Sequence, residues 1–564
     1  MRKSASLIAL LLIFYVVLFF SQIDAVKGQD WSIFIRADGS VEGTDKIQRT
    51  GNIYSFTDNI EGIIVVERDN IVLDGAGYTL HGVYTGIRLE GRTNVTIKNV
   101  HVINGLPCIY LNDSSNNQII NNTLTSTVKF APIRVLWLEN SSNHNKISGN
   151  TIKLKQEEEQ FVPESVVNIR KSLYNEIVGN NITSNMPCIG LDSLARIGIS
   201  DYSSHSNHTI ISGNTINFTG SFWGFYTGFN TTFTNNVLVG CSLFIYRSSQ
   251  NTIADNLVDG KSILYLEGVT DQVLEGGEAG HILLENCQNI TVKNYDFSNV
   301  VKGGVQLIRT NSSKISNYKG SIYLEHSFYN SITGSDCVEI ELYKSSNNTI
   351  ARNTVTNTEG VDYSNGITLY SSNYNNITEN NITQNQYSGI KLETSRYNLI
   401  AYNNLTYNAQ GMSLQEYSSN NTIYGNNVAH NHNSAVYVQD ASYNLLFGNN
   451  FFANNHQIGG WDSRNIWDNG TIGNYWSDYN GTDENNDGIG DSPYSFIIDI
   501  RWPPTADPIT NYDNFPLMEP VDIKAIVPEF PSWAPLLIML VAVVAIAVVY
   551  RRKFSKTNRG RDNQ

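Results

Sequence analysis

Apolar residues recur at a fixed period of 23 positions between Asn375 and Phe451. The period produces two apolar columns, one of Ile377, Ile400, Ile423 and Leu446, and another of Ile382, Leu405, Val428 and Phe451. A fixed period of this length is typical of a solenoid, in which each repeat packs only on its neighbours.

Short runs inside each period alternate apolar and polar residues, as in residues 366–369, 389–392 and 435–438. This alternation predicts strands whose Ile and Leu side chains point inward and whose Thr, Lys and Tyr side chains point outward. Between Trp31 and Pro528 no segment shows a sustained helical period. Because the repeats are too short for a crossover helix, the sequence predicts an all-β fold. We expect a parallel β-helix with about three short strands in each coil.

Four asparagine columns accompany the apolar columns. Their members are Asn375, Asn398, Asn421 and Asn444; Asn380, Asn403, Asn426 and Asn449; Asn381, Asn404, Asn427 and Asn450; and Asn385, Asn408, Asn431 and Asn454. Asparagine suits tight turns because it tolerates the left-handed backbone conformation. When stacked in register, its amide can also hydrogen-bond to the asparagine one coil away. We therefore expect structural ladders, not binding residues.

The two ends of the chain carry signals for export and anchoring. Met1-Arg2-Lys3 and the apolar run that follows are typical of a signal peptide, with cleavage expected after Ala25. Residues 534–550 are uninterruptedly apolar and are followed by three basic residues, which predicts a membrane-spanning helix. We therefore expect a single-pass protein of the cell membrane, with an extracellular ectodomain and a cytoplasmic tail at 551–564.

The charge and cysteine content narrow the functional classes. A net charge of −14 argues against a nucleic-acid partner, which would need a basic surface. The five cysteines are widely spaced and indicate small buried thiols, not a disulfide framework or a metal cluster. Sequons such as Asn181-Ile182-Thr183 are consistent with a glycoprotein, although those inside ladders would be inaccessible.

An acidic segment at 483–491 matches the first half of a calcium loop. Oxygen-bearing side chains alternate along it, and Gly488 takes the sixth position, where calcium loops turn sharply. The predicted ligands are Asp483, Asn485, Asp487 and Asp491 through their side chains and Ile489 through its carbonyl. The glutamate usual at position twelve is replaced by Tyr494. The pattern favours a structural calcium ion over an acidic turn without metal.

Other side chains are weaker candidates for chemistry. His430 and His432 lie two residues apart, with His456 further on, and imidazoles so placed can bind copper or zinc, although a solvated pair is favoured. Asp74 is a conspicuous acid in a glycine-rich turn, and the sequence identifies no partner for it.

Aromatic residues cluster near the end of the repeats. They are Trp461, Trp467, Tyr475, Trp476, Tyr479, Tyr494 and Trp502. They could form a sugar-stacking platform, but we favour a cap over the last coil because a solenoid needs one. Tyr374, Tyr397 and Tyr443 recur in register and could bind a saccharide or simply cover the sheet.

The chain resembles the NosD-type right-handed β-helix family. The resemblance rests on Asn70–Gly82, on the asparagine-rich coils, and on the closing segments Gly473–Tyr479 and Asp513–Leu517. It covers about residues 31–520. The likeness extends to the broader group of carbohydrate-binding proteins and sugar hydrolases that share the pectin-lyase fold. It implies a right-handed coil, and it implies copper as a cofactor only if this chain acts like the family's copper-site maturation factors.

These observations define seven segments. They are a signal peptide at 1–25, an N-terminal cap at 26–70, β-helix repeats at 71–455, an aromatic C-terminal cap at 456–520, a linker at 521–533, a transmembrane helix at 534–550 and a cytoplasmic tail at 551–564. The sequence shows no catalytic set and favours a non-enzymatic protein that binds or organises glycans or envelope components. The alternatives are a polysaccharide lyase or hydrolase and a copper-binding maturation factor.

Overall fold

A computed structural model describes residues 31–128, 134–156, 166–184, 189–191, 206–218, 225–226, 230–244, 250–300, 303–356, 365–498 and 508–523. The chain divides into two compact units. Unit 1 comprises Met1–Ser346 with Glu359–Asp362, and unit 2 comprises Asn347–Thr358 with Tyr363–Gln564. The elements assigned in the described residues are β-strands, which confirms the predicted all-β class.

Unit 1 begins with a parallel solenoid, which we call the first solenoid. Its strands are β1 (Ser32–Ile35), β2 (Val41–Glu42), β3 (Ile47–Thr50), β4 (Ile53–Phe56), β5 (Ile60–Glu61), β6 (Ile63–Val66), β7 (Val72–Asp74), β8 (Thr79–His81), β9 (Ile87–Glu90), β10 (Thr96–Lys98), β11 (His101–Ile103), β12 (Ile109–Asn112), β13 (Gln118–Ile120), β14 (Thr123–Val128), β15 (Leu136–Glu139), β16 (Lys146–Ser148), β17 (Thr151–Gln156), β18 (Val167–Arg170), β19 (Glu176–Val178), β20 (Asn181–Ser184), β21 (Ile189–Leu191), β22 (Ile210–Ser212), β23 (Thr215–Phe218), β24 (Phe225–Tyr226), β25 (Thr232–Thr234), β26 (Val237–Val239), β27 (Leu243–Phe244), β28 (Thr252–Ala254) and β29 (Leu257–Val258).

Three sheets form the walls of the first solenoid. One follows β1 to β27, the second β4 to β28 and the third β5 to β29, with strands of successive coils as parallel neighbours. The middle residue of each short strand stacks in register and is buried, as for Ile97, Ile119 and Ile147. The core is therefore a set of aliphatic columns along the axis of the coil.

A hairpin reverses the strand direction after the first solenoid. Strand β30 (Lys261–Glu267) pairs antiparallel with β29, and Asp259 and Gly260 form the turn with φ of 45° and 81°. An Asp-Gly pair is strongly favoured in tight hairpin turns, where both central residues need positive φ. From β30 onward the neighbouring strands are again parallel, so a second set of coils starts here. The β-helix repeats predicted at 71–455 did not include this reversal.

The second set of coils in unit 1 comprises eight further strands. They are β31 (Val273–Glu275), β32 (Ala279–Glu285), β33 (Thr291–Lys293), β34 (Gly304–Ile308), β35 (Lys314–Ser316), β36 (Lys319–Glu325), β37 (Ser331–Thr333) and β38 (Asp336–Tyr343). Strands β30, β32, β34, β36 and β38 form one parallel sheet, and β31, β33, β35 and β37 form another.

Strands β32 and β34 are buried on both faces. Ile282, Leu283 and Leu284 are consecutive and all fully buried. Leu283 and Ile308 belong to the hydrophobic cluster of the first solenoid, which includes Leu243 and Val258 from its last coils. The sheet therefore covers the end of the first solenoid with one face and lines its own coils with the other, a position that favours continuous apolar runs over alternation.

Unit 2 contains the regular 23-residue coils and the C-terminal elements. Its strands are β39 (Thr349–Ala351), β40 (Thr354–Thr356), β41 (Ile367–Tyr370), β42 (Asn376–Thr378), β43 (Asn381–Thr383), β44 (Ser388–Glu393), β45 (Leu399–Ala401), β46 (Asn404–Thr406), β47 (Gln410–Gln415), β48 (Thr422–Tyr424), β49 (Asn427–Ala429), β50 (Ser434–Gln439), β51 (Leu445–Phe447), β52 (Asn450–Phe452), β53 (His456–Trp461), β54 (Tyr475–Trp476), β55 (Tyr494–Ile498) and β56 (Ile509–Asp513).

Each regular coil of unit 2 carries three strands, as predicted. In one coil these are β42, β43 and β44, and each pairs in parallel with the strand three further along the chain. The predicted inward residues, such as Ile367 and Leu369, are fully buried. Strands β55 and β56 form a separate antiparallel pair after the last coil.

The expected asparagine ladders are present. The backbone N–H and the side-chain Nδ2 of Asn380 both donate to Oδ1 of Asn403, at 3.0 and 2.9 Å, and Asn403 repeats the pattern with Asn426. The Nδ2 of Asn403 also donates to the carbonyl of Ile377 at 2.8 Å. Because these residues are buried, each ladder satisfies backbone groups that the turns leave unpaired.

The left-handed turn position is not the ladder asparagine but the residue before it. Tyr374, Glu379 and Gln384 precede three ladder asparagines and have φ of 57°, 58° and 58°. The ladder asparagine itself needs its N–H aimed along the axis at the next coil, whereas the chain direction changes one residue earlier. At these three turns the left-handed residue is therefore not the ladder asparagine.

The predicted signal peptide and transmembrane helix lie outside the described residues, as does the tail. Within the part of the chain that the structure describes, no helix is long and apolar enough to cross a membrane.

Candidate functional site

Tyrosines occupy exposed left-handed turns, and we call these residues the turn tyrosines. They are Tyr174, Tyr329, Tyr374, Tyr397, Tyr407, Tyr417 and Tyr443, which have positive φ and are 45% to 69% exposed. In unit 2, Tyr374 and Tyr397 stack with ring centroids 5.1 Å apart and planes 8° apart. Successive coils thus present aromatic rings at one edge of the solenoid.

Histidines take part in similar stacks. In unit 1, Tyr174 lies between His144 and His208, with centroid distances of 4.9 and 4.6 Å. In unit 2, the ring of His430 lies 5.1 Å from that of Tyr407 and nearly parallel to it. These imidazoles are therefore part of aromatic stacks at the turns.

Copper binding by His430 and His432 stays a prediction. The backbone N–H of His432 donates to the carbonyl of Asn408 at 2.9 Å, which fixes this turn on the preceding coil. Across the described residues, no group of three or more His, Cys, Asp or Glu side chains is arranged to hold a metal ion.

The predicted calcium loop folds around its own side chains. Oδ1 and Oδ2 of Asp483 accept from the N–H groups of Asp487 and Gly488 at 3.2 and 2.8 Å, and Asn485 and Asp487 accept from N–H groups two residues on. Gly488 has φ of 84°, as the predicted sharp turn requires. Oδ2 of Asp491 accepts from the N–H of Glu484. The loop has the required turn, and calcium binding stays a prediction.

Aromatic side chains from beyond the last regular coil are buried against it. Trp476 stacks on Phe451 at 4.7 Å and on Tyr494 at 4.5 Å, and Trp467 lies edge-on to Phe496 at 4.8 Å. Both tryptophans are almost fully buried, so their faces are not available for sugar stacking. Trp502 lies outside the described residues.

Asp513 holds this aromatic group together. The carboxylate is fully buried and accepts from the backbone N–H of Asn474 at 2.7 Å and from Nε1 of Trp476 at 2.8 Å. Burial raises the pKa of Asp513 to about 6, although these donors act in the opposite direction. Further along, Asn450 and the backbone of Val521 exchange two hydrogen bonds of 3.0 and 2.8 Å.

Unit 1 contains a buried polar cluster that the sequence analysis missed. Nδ1 of His281 lies 2.7 Å from Oγ of Ser242, and Nε2 of Gln306 donates to the carbonyl of Leu243 at 3.0 Å. Burial lowers the pKa of His281 to about 3, so the imidazole is neutral. These bonds join β32 and β34 to the last coil of the first solenoid.

Glu285 forms the charged part of the same junction. It is fully buried, ion-paired with Arg309, and within 2.8 Å of the Tyr265 hydroxyl, which also lies 3.0 Å from Glu267. Burial raises the pKa of Glu285 and, together with the two glutamates, that of Tyr265. The signal in the sequence was the unbroken run Ile282-Leu283-Leu284, which indicates a strand buried on both faces.

Asp74 and the cysteines have structural surroundings. Asp74 accepts from the N–H of Ala76 and from Asn99, each at 3.0 Å, and lies 3.1 Å from Nζ of Lys98. Burial acts to raise the pKa of Asp74, but these contacts together outweigh it, so the pKa lies below its usual value. The thiols of Cys108, Cys241, Cys287 and Cys337 are buried, as predicted, and Cys188 lies outside the described residues.

Two family comparisons match separate parts of the chain. Residues 85–258 match the family described as "Right handed beta helix region". The parallel sheets of the described residues are consistent with a right-handed β-helix. Residues 278–444 match the family described as "Periplasmic copper-binding protein (NosD)". The first match ends at Val258, immediately before the turn of the reversing hairpin, and the second begins within the coils that follow it.

Comparison with solved structures gives distant likenesses. The periplasmic alginate epimerase AlgG is 12% identical over 76% of this chain and 72% of its own, with a TM-score of 0.22. The A-module of Azotobacter vinelandii mannuronan C-5 epimerase AlgE6 is 12% identical over 72% and 90%, with a TM-score of 0.22. The PL6 family alginate lyase AlyGC is 10% identical over 72% and 84%, with a TM-score of 0.15. No curated protein matches the chain.

Proposed function

We propose that this protein is a non-enzymatic β-helix of the cell surface that binds glycans through its turn tyrosines and is anchored by the transmembrane helix that the sequence predicts at 534–550. The observation that carries the proposal is the placement of these tyrosines at exposed left-handed positions. The left-handed conformation costs a residue with a Cβ about 1–2 kcal/mol, and glycine or asparagine would avoid much of that cost.

Folding alone does not explain the turn tyrosines. Tyr417 and Tyr443 are 66% and 69% exposed, so they gain little from burial. Stacking offsets part of the cost for Tyr374 and Tyr397. Tyrosine combines a flat apolar ring with a hydroxyl, which suits the apolar faces and the hydroxyl groups of sugars.

A test uses the full-length chain in detergent. Insoluble polysaccharides and a glycan array are probed with the wild type and with a variant in which Tyr374, Tyr397, Tyr407 and Tyr443 are replaced by Asn, a residue suited to the same backbone conformation. We expect the wild type to be retained on at least one glycan and the variant to be released. Failure of the wild type to bind any glycan would refute the proposal.

A polysaccharide lyase or hydrolase is the second candidate. Glu267 and Glu285 are register partners on adjacent strands, beside Tyr265 and Arg309, which is the arrangement of acids in neighbouring coils that such an enzyme would need. However, Glu285 is fully buried and already paired with Arg309, so we rank this function second. Turnover of a polysaccharide that is lost in Glu267→Gln, with binding retained, would favour it.

Copper delivery is a third candidate, and its support is the family match over residues 278–444. Tight binding of Cu(I) that disappears in His430→Ala/His432→Ala would support this function, and release of copper to a mild chelator would count against it.

A further inference from the structure

One turn of unit 2 departs from the regular repeat. Glu393 and Gln415 are register partners 22 residues apart, whereas the next ladder contact, from Ser395 to Ser418, spans 23. The difference is one inserted residue, and the insertion lies at Glu416-Tyr417, which both have positive φ. The side chain of Tyr417 is 66% exposed, so the inserted residue adds a ring to the surface of this turn.

The same turn lacks a ring in the tyrosine stack. The residue that precedes the ladder asparagine is Tyr374, Tyr397, Asn420 and Tyr443 in four successive coils. Their φ values are 57°, 57°, 59° and 64°, so the backbone is equivalent at all four positions. Tyr374 and Tyr397 are in contact, but at the third position the short side chain of Asn420 replaces the ring.

The missing ring leaves space between Tyr397 and Tyr443. Strands of adjacent coils are about 4.8 Å apart, so equivalent positions two coils apart are separated by about 9.6 Å. A ring inserted between two others needs about 3.5–4.0 Å on each side, or about 7–8 Å for a flat ring and slightly more for a puckered one. The spacing suits one puckered saturated ring with a ring face of tyrosine on either side.

Polar groups surround this space. The amide of Asn420, which is exposed, offers both donors and an acceptor at its base. Arg396 lies beside Tyr397, and its Nε donates to the carbonyl of Tyr417 at 3.1 Å, which holds the guanidinium next to the inserted residue. Apolar faces on two sides and polar groups at the base match a sugar, whose ring faces expose C–H groups and whose edge carries hydroxyl groups.

We infer that Tyr397, Asn420 and Tyr443 form a slot that binds one pyranose unit of a polysaccharide between the two tyrosine rings. The inference rests on the proposed glycan binding and names the residues that would carry it. Arg396 and Tyr417 border the slot and contact the adjoining sugars of the polysaccharide.

The decisive variant is Asn420→Tyr, which fills the slot by completing the stack. The fold tolerates tyrosine there because Tyr397 and Tyr443 already adopt the same backbone conformation. Asn347→Tyr is the matched control, since it makes the same exchange at the equivalent left-handed position of another coil, outside the slot. Thermal unfolding and circular dichroism establish that both variants are folded.

Binding of the full-length chain to insoluble polysaccharides and to cellohexaose, mannohexaose, chitohexaose and hexagalacturonate is then compared. We expect wild type and Asn347→Tyr to bind the same hexasaccharide within about twofold, and Asn420→Tyr to lose about tenfold or more. Equal binding by Asn420→Tyr, or equal losses in both variants, would overturn the slot while leaving glycan binding intact. Absence of any binding by the wild type would overturn both.

Discussion

The indole N–H of Trp476 donates a 2.8 Å hydrogen bond to Oδ2 of Asp513, and both groups are buried. Trp476 stacks on the last regular coil through Phe451, whereas Asp513 ends β56, which follows the coils in sequence. This bond therefore links the C-terminal antiparallel pair to the end of the solenoid.

The first prediction is a pH dependence from Asp513. Burial raises its pKa from 3.8 in the unfolded chain to about 6 in the folded one. Folding therefore favours the protonated carboxyl of Asp513. The stability that this group contributes is complete below pH 3.8 and is lost as the pH rises through about 6. The shift corresponds to roughly 3 kcal/mol between these limits.

The measurement compares wild type with Asp513→Asn, which does not titrate. Unfolding free energies are determined between pH 4 and pH 7 for both proteins, and the difference isolates Asp513 from the surface carboxylates. We expect the wild type to lose stability relative to the variant as the pH rises. A difference that does not change with pH would show that the donors around the carboxylate outweigh its burial.

A second prediction concerns the buried ladders. Asn403→Leu keeps the number and branching of the side-chain heavy atoms but leaves the N–H and Nδ2 of Asn380 and the carbonyl of Ile377 without their partner. Since each unsatisfied buried group costs about 1–3 kcal/mol, we expect a loss of at least about 3 kcal/mol in urea unfolding. Asn404→Ala, in the outward column, should cost less than about 1 kcal/mol. Equal losses would mean that burial does not distinguish the two columns.

The reversing hairpin gives a third prediction. Gly260 has φ of 81°, a conformation that a β-branched residue adopts only with strain. Gly260→Val should lower the unfolding free energy by about 2 kcal/mol, whereas Gly260→Asn should lower it much less, because asparagine tolerates positive φ. Chemical denaturation of both variants checks this, and similar values for the two would argue against conformational strain at the turn.

Calcium addition provides a fourth prediction. If Asp483, Asn485, Asp487, Ile489 and Asp491 bind the ion, millimolar Ca²⁺ should raise the melting temperature, and a chelator should reverse the effect. Asp483→Ala should abolish the response. Glu484→Gln is the control, because position two of such a loop supplies no ligand. A melting temperature that is unchanged by calcium would indicate that the loop binds no calcium and is held only by its own hydrogen bonds.

The regular coils could be predicted because their spacing determines their register. With Asn380, Asn403 and Asn426 at equal intervals, only stacking in successive coils brings all three into line, and the apolar columns follow the same alignment. The site residues that could be predicted were those repeated with the coils, above all Tyr374, Tyr397 and Tyr443. Their left-handed backbone could not be predicted, because asparagine is the residue usually expected there.

The junction in unit 1 was harder to predict for a physical reason. Asp259-Gly260 is a recognisable turn signal, but a solenoid contains many turns. A turn that reverses the chain differs from the others only in that the two strands it joins pair with each other. Likewise, His281, Gln306 and Glu285 occupy outward positions of their strands and look solvent-exposed in sequence. They are buried because the first solenoid ends against them, which is a long-range packing relationship.

The pairing of Asn450 with Val521 has a consequence for assembly. An uncovered last coil would offer free backbone groups on which another chain could add strands, and such edges lead to filament growth. Val521 takes the place of a neighbouring ladder asparagine on the amide of Asn450, and the N–H groups of Tyr475 and Ser477 bond the carbonyls of Asn449 and Phe451. A chain truncated before residue 456 should therefore polymerise end to end, whereas the untruncated chain should not, which size-exclusion chromatography of the two would check.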